Sequence, residues 1–388
     1  NFDKVIDRSG TSAEKVEGLK HIWGRTDLIP LWVADMDFAT APFVTDAIRK
    51  RCENEVLGYT GKPDSYYNAI INWVKQRYDL VVAKEMINFV PGIVPGIGMA
   101  MNCFTQKGDK VMIQPPVYHP FAWVTTRNER TLVINPLKWE NGMYRMDLDA
   151  FREQIKGCKL FILCNPHNPG GVVWTEAELR AIADICYDEK VLVFSDEIHA
   201  DLTLPPHTHR PFATVSEKAR MNSVTFMSPS KAFNMPGLSA SHALIFNEDL
   251  RKRFRIYMDA GELDMGHVFA FLSVEAAYSH GTEWLDQCLA YIQGNIDFVD
   301  EFLKKHAPKI KAIRPEASYL VWLDCRELEL SQKDLNEFFV DKAHLALNDG
   351  EMFGKEGIGF MRLNVASPRC IIEKAMKQLA DAYQLYIK

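Results

Sequence analysis

Apolar residues along this chain gather into short runs separated by helical patterns, and the alternation predicts the fold. Runs at residues 87–90, 110–114, 131–134, 160–164, 191–195, 224–227 and 240–246 are short and largely apolar, and they read as strands. Helical stretches lie between them, for example at 176–187 and 269–280. Strands alternating with helices from about Thr40 to His280 predict a mostly parallel sheet covered on both faces, an α/β architecture. Lys159-Leu160-Phe161-Ile162-Leu163-Cys164 and Val191-Leu192-Val193-Phe194 have the near-continuous apolar character of central strands buried on both faces. Thr40 can cap a helix whose first turn holds Pro42. From about Gly281 the pattern changes to a long helical stretch reaching His306, then short strands and helices at 319–323, 334–342, 360–363 and 371–387. The expected organisation is therefore a large domain at 41–280 and a smaller α+β domain at 281–388, completed by residues 1–40. No internal repeat, low-complexity tract or flexible linker interrupts it.

Composition narrows the classes. A chain of 388 residues exceeds what one compact unit normally needs, in keeping with two cores. Hydrophobic residues make up 47% and charged residues 25%, ordinary values for a globular enzyme. A formal charge of −6 leaves no footprint for nucleic acid or an anionic membrane surface. No apolar stretch approaches membrane-spanning length, and the opening Asn1-Phe2-Asp3-Lys4-Val5-Ile6-Asp7-Arg8 is not patterned like a signal peptide. The eight cysteines form no CxxC pair and lie mostly in apolar segments, so reduced core residues of a cytoplasmic protein are expected, and zinc is not.

The chemistry sits where the strands stop. The run at 160–164 ends in Asn165-Pro166-His167-Asn168-Pro169-Gly170-Gly171, and the run at 191–195 leads into Asp196-Glu197-Ile198-His199. The run at 224–227 leads into Ser228-Pro229-Ser230-Lys231-Ala232-Phe233-Asn234-Met235-Pro236-Gly237. Such a strand delivers Lys231 to a sheet end, where ligands of open α/β folds sit. A lysine in a pocket is a candidate Schiff-base former, and Ser228 and Ser230 are candidate phosphate ligands. Gly92-Ile93-Val94-Pro95-Gly96-Ile97-Gly98 follows the first strand and opens an apolar helix at 99–104, and a helix N-terminus is a ready phosphate site. Singly, each has a bland alternative: a surface lysine, a helix cap, a structural turn. Together they point to one cofactor site.

The motifs NPHNPGG, SDEIH and SPSKAFNMPG resemble those of the fold-type I pyridoxal 5′-phosphate (PLP) enzymes of the class I/II aminotransferase superfamily. ADMDFATAP, GYTG, PPVYHPF and RLNVASPR narrow the resemblance to the MalY/PatB group of cystathionine β-lyases, over essentially the whole chain. The resemblance implies a mostly parallel seven-stranded large-domain sheet. It implies that Lys231 carries PLP and then acts as general base on the substrate Cα proton. Asp196 would keep the pyridine nitrogen protonated, Asn168 would bond the phenolic oxygen, and Tyr118 would stack on the ring. Backbone N–H groups of Ile93 and Val94 and the hydroxyls of Ser228 and Ser230 would hold the phosphate. Arg362 would clamp the substrate α-carboxylate through its planar guanidinium. Tyr59 would reach the neighbouring subunit's phosphate, which makes the active unit a homodimer.

Two positions depart from the aminotransferase pattern. His199 stands where those enzymes usually carry tyrosine, and it is expected to touch the cofactor; Ser239 replaces an arginine eight residues beyond the lysine. Glu197 is expected to be structural and Arg369 to cap or decorate a helix, while Asp35 and Asp37 lie near the entrance without an assigned role. No second arginine presents itself for a dicarboxylate side chain. The implied activity is α,β-elimination from cystathionine or related S-substituted cysteines, giving thiol, pyruvate and ammonia. The alternative is a class I/II aminotransferase. Some members of the group are also thought to bind a transcription factor, but the sequence identifies no patch for such a partner.

Overall fold

The computed structural model describes residues 1–386, and in it the seven predicted runs form one sheet. Its strands are β1 (Ile87–Val90), β2 (Lys110–Ile113), β3 (Thr131–Ile134), β4 (Cys158–Cys164), β5 (Leu192–Asp196), β6 (Ser223–Met227) and β7 (Ser241–Leu244). The spatial order is β1-β7-β6-β5-β4-β2-β3. Neighbours from β6 through β3 are parallel, and β7 alone runs against its two partners, β6 and β1. Every residue of β5 and β6 is buried, as is β4 except at Lys159, which accounts for their largely apolar sequence. Cys164 pairs with Asp196, and Asp196 with Phe226. The carboxyl ends of β4, β5 and β6 are thereby level, and the three motif-bearing loops leave the sheet side by side.

Several local expectations change. The helix predicted at 99–104 runs from Ile93 to Phe104. Pro95 is tolerated because an N–H in the first turn has no intrahelical acceptor. Gly96 is a packing requirement: a Cβ there would lie 2.9 Å from Val90 Cγ2 and 3.2 Å from Phe226 Cε1. Thr40 is not a cap. The helix Pro42–Cys52 starts after Ala41 with no side-chain cap, and the Thr40 hydroxyl donates instead to Asn234 O at 2.6 Å. That carbonyl belongs to the loop following Lys231, so the hydroxyl ties the two segments together.

Beyond Gly281 the helix Thr282–His306 leads to an antiparallel four-stranded sheet, ordered Lys311–Ile313, Leu320–Asp324, Phe360–Asn364, Asn348–Asp349. The helix expected at 334–342 is Gln332–Glu337 followed by a wider turn, Phe338–Lys342. Helix Arg369–Tyr386 closes the described chain; Ile387, the last residue of the helix expected there, lies outside the described residues. Near the N-terminus, Ile29 and Pro30 pair in parallel with Leu345 and Ala346. Among the described residues no helix is long and apolar enough to cross a membrane.

Gly281 joins the helices Val268–His280 and Thr282–His306. A Cβ there would sit 2.2 Å from Ala277 O and 2.3 Å from Phe233 Cζ, so even alanine must displace the phenyl ring two residues beyond Lys231. Gly281→Ala is expected to cost about 2 kcal/mol of stability through this overpacking. A urea denaturation midpoint equal to that of the parent chain would contradict it.

Candidate active site

The level ends of β4–β6 and the start of the Ile93–Phe104 helix enclose a cavity of about 210 Å³. Ile93, Val94, Tyr118, Asn168, Asp196, His199, Ser230 and Lys231 all line it, residues that the sequence spreads from position 93 to position 231. Gly92 opens the helix at φ +131° and accepts from Gly96 N at 3.0 Å. The amides of Ile93 and Val94, first in the helix, have no intrahelical acceptor.

Each functional side chain has a local reason for its place. Asn168 lies in a tight turn after β4, closed by the bonds His167 N–Val172 O and Gly171 N–His167 O, both 2.8 Å. Its own N–H donates to Cys164 Sγ at 3.3 Å, and its Oδ1 accepts from Arg362 Nη1 at 3.1 Å. Asp196 is the last residue of β5, and its Oδ1 accepts from Ile198 N at 3.1 Å. Lys231 follows β6 in a helical turn held by Phe233 N donating to Pro229 O and Met235 N to Ser230 O. Its ammonium group donates to Ala34 O at 2.6 Å. The hydroxyls of Ser228 and Ser230 are 2.9 Å apart, and Ser228 also donates to Ala240 O at 2.7 Å. Only Ser230 lines the cavity; Ser228 stands behind it and braces the turn through its bond from Ser230 N.

Burial sets the electrostatics. Loss of water lowers the Lys231 pKa to about 8, helped by the positive charge of Arg362 and opposed by Asp35 and Asp196. The same desolvation raises Asp196 to about 7, with Glu197 adding to the rise. His199 falls to about 3, through burial first and then the charges of Lys231 and Arg362, so its imidazole is neutral. Burial lifts Tyr118 to about 12 and lowers Arg362 to about 10. Arg362 lies beyond the cavity wall in strand Phe360–Asn364, bonded to Asn168, to Trp32 O at 3.0 Å and to Asn348 Oδ1 at 2.5 Å. Its guanidinium stacks 4.9 Å from the Phe353 ring centre, and its Nε is buried with no partner.

The remaining predicted residues fall elsewhere. Tyr59 is 99% exposed, in a loop away from this cavity. Glu197 turns from the cavity to bond Ser195, His209 and Phe212 N. Arg369 opens the last helix and donates to Asn295 Oδ1 at 2.7 Å. Asp35 and Asp37 form ion pairs with Arg8 and with Lys15, a lysine fully shielded from solvent. Ser239, in the left-handed conformation at φ +48°, lines the cavity where the aminotransferase pattern has arginine. Sequence reasoning missed Ala34, Cys164 and Ser241 in the lining. Cys164 and Ser241 border predicted motifs and could have been found by adjacency; the Ala34 contribution is a carbonyl, which no side-chain pattern reveals.

Comparison with known proteins places the chain in a family. Residues 26–379 match the family model for aminotransferase class I and II. Cystathionine beta-lyase PatB of Bacillus subtilis (strain 168) is 38% identical over 384 residues, 98% of this chain and 99% of that protein. A PLP-bound protein of Clostridium difficile 630, provisionally described as an aminotransferase, superposes with a TM-score of 0.97 at 40% identity over 99% of both chains. Cystalysin of Treponema denticola, whose structure contains a pyridoxal 5′-phosphate cofactor, superposes with a TM-score of 0.96 at 33% identity, covering 100% of this chain and 99% of that one. A family model spanning most of the sequence and full-length relatives above 30% identity lead to one conclusion: the chain belongs to the class I and II aminotransferase family.

Proposed function

We propose that this chain is a PLP-dependent carbon–sulfur β-lyase that cleaves cystathionine or related S-substituted cysteines to thiol, pyruvate and ammonia. The observation that carries the reading is the meeting of Lys231, Asp196, Asn168 and Tyr118 with the free helix amides of Ile93 and Val94 around one cavity. Those groups suit a flat, phosphorylated aldehyde with a ring nitrogen. The first-turn amides and the Ser230 hydroxyl offer donors for a phosphate at a helix N-terminus. Asp196, deprived of water, stays ionised only against a positive neighbour, which a protonated ring nitrogen provides.

When bound, PLP supplies an aldehyde for the substrate amine and a ring that takes up the electrons left at Cα. Arg362 holds the substrate carboxylate and so fixes which Cα bond faces Lys231. Lys231, with its pKa lowered to about 8, carries enough neutral amine near pH 7 to take the Cα proton onto Nζ. The C–H electron pair stays behind, and expulsion of a thiolate from Cβ consumes it. Asn168 Oδ1 is engaged by Arg362, which leaves its amide N–H groups to donate to the phenolic oxygen. Tyr118, which lines the cavity, would cover one face of the ring and exclude water from it. His199 supplies a neutral ring with an unpartnered Nδ1 in place of the tyrosine of aminotransferases.

Elimination is favoured over transamination by His199 and Ser239 at these two positions and by the likeness to PatB. A cytoplasmic setting accords with cysteines that form no disulfide among the described residues. Purified, PLP-loaded protein given cystathionine and no keto acid should release pyruvate and free thiol, and Lys231→Ala should release neither. Amino-group transfer that demands an added keto acid, without pyruvate, would establish the aminotransferase reading instead.

The same reading makes the active unit a homodimer. Val56, Leu57 and Tyr59 are 72%, 59% and 99% exposed on one loop, an apolar group left uncovered among the described residues. Light scattering should give twice the chain mass. Tyr59→Phe should keep that mass yet weaken PLP retention about tenfold by deleting one hydrogen bond to phosphate. A fully active monomer would contradict this.

A further inference from the structure

Four consecutive backbone carbonyls, of residues 32–35, are bound by side chains at the rear of the cavity. Arg362 Nη2 donates to Trp32 O at 3.0 Å, and Asn364 Nδ2 donates to Val33 O at 2.7 Å and to Asp35 O at 2.6 Å. The Ala34 carbonyl between them accepts two bonds, from Lys231 Nζ at 2.6 Å and from the Tyr319 hydroxyl at 3.0 Å. Backbone bonds extend the attachment on either side: Asn364 N donates to Leu31 O at 3.0 Å, and Asp37 N to Ala366 O at 2.8 Å. Behind the segment, Lys15 reaches Asp37 at 2.9 Å and Asp35 O at 3.3 Å, and Arg8 reaches Asp35 at 2.6 Å.

So many donors converging on one short stretch exceed what a surface connection needs. Tyr319 and Asn364 are fully buried; Asn364 ends the strand that carries Arg362, and Tyr319 precedes the strand paired with it. We propose that residues 32–35 are the positioning element of Lys231, and that Tyr319 is the positioning residue that aims the Ala34 carbonyl at the lysine nitrogen. Once Lys231 has taken a proton, Ala34 O receives the ammonium N–H, which holds Nζ within the cavity instead of letting it swing toward other acceptors. The carbonyl also links the two groups that handle substrate. Lys231 is bonded to residue 34 and Arg362 to residue 32 of one rigid segment, so the base and the carboxylate clamp share a common frame. The proposal rests on the reading of Lys231 as the reacting lysine.

The charged groups acting on Lys231 are Arg362, Asp35 and Asp196, with the neutral ring of His199 nearby, and neither variant replaces any of them; Tyr319→Phe also leaves the Asn364 bond to Asp35 O in place. Two full-length variants, Tyr319→Phe and Asn364→Ala, each remove a different hold on the segment. In cofactor-free protein carrying ¹³C-methylated lysines, the Lys231 resonance is assigned by its loss in Lys231→Met and titrated with pH. A carbonyl that accepts from the ammonium favours the charged form, so loosening it should lower the Lys231 pKa by about half a unit or more. In the loaded enzyme, kcat on cystathionine should fall about tenfold with KM within about twofold, the loss expected from one misdirected hydrogen bond. The proposal is overturned if a folded variant titrates like the parent with kcat intact, or if KM alone rises. Either variant suffices should the other not fold. Failure of the lyase reading would appear separately, as parent protein that releases no pyruvate, and would leave the cofactor-free titration to decide this point.

Discussion

Lys231 and Asp196 share one water-poor cavity, and burial works against the charge on both. It lowers the lysine to about 8 and raises the carboxyl to about 7. In water these groups would sit far apart on the pH scale, the one a firm cation and the other a firm anion. Here each is brought to the edge of neutrality, and each depends on what else enters the cavity. A basic ring nitrogen lets Asp196 keep its charge. An amine with a pKa near 8 is available as a base. The cavity's chemistry follows from desolvation applied to two opposite groups, with the Arg362 cation biasing the lysine further downward.

The fold exists, for functional purposes, to hold that arrangement level. Parallel strands β4, β5 and β6 end in register, so three loops separated by some thirty residues each present Asn168, Asp196 and Lys231 along a single edge. Because these strands are buried on both faces, moving any one of them means disturbing packed side chains above and below. The second sheet supplies Arg362, and its neighbours bind the residue 32–35 carbonyls behind the lysine. The wall at Ala34 is thus held from behind by residues near the other end of the sequence.

How much of this was readable from residues alone follows from what kind of group does each job. Asn168, Asp196 and Lys231 announce themselves because polar side chains terminate apolar runs, and a change of that sort survives without coordinates. The strands read well for the same reason. The helix start at Ile93 was obscured by Pro95 and Gly96, which look like breakers yet sit where a first turn tolerates one and close packing demands the other. Thr40 has the side chain of a helix cap, but Ala41 holds the cap position and the Thr40 hydroxyl donates to Asn234 O instead. Ala34 left no trace, since its contribution is a backbone oxygen 197 positions from the lysine it meets. Lys15 was equally invisible, because nothing local distinguishes a lysine buried against two aspartates from one in solvent. Tyr59 has no contact with the cavity of its own chain, so only the proposed dimer would give it a role.

All of the proposed chemistry requires that the nitrogen at position 231 react with the cofactor. The direct measurement is to load the protein with PLP, reduce it with borohydride, digest it and map the phosphopyridoxyl group by mass spectrometry. The account predicts one stoichiometric label, on Lys231, and loss of the visible absorbance on reduction. A chain that stays unlabelled, or carries the group on a different lysine, would contradict it.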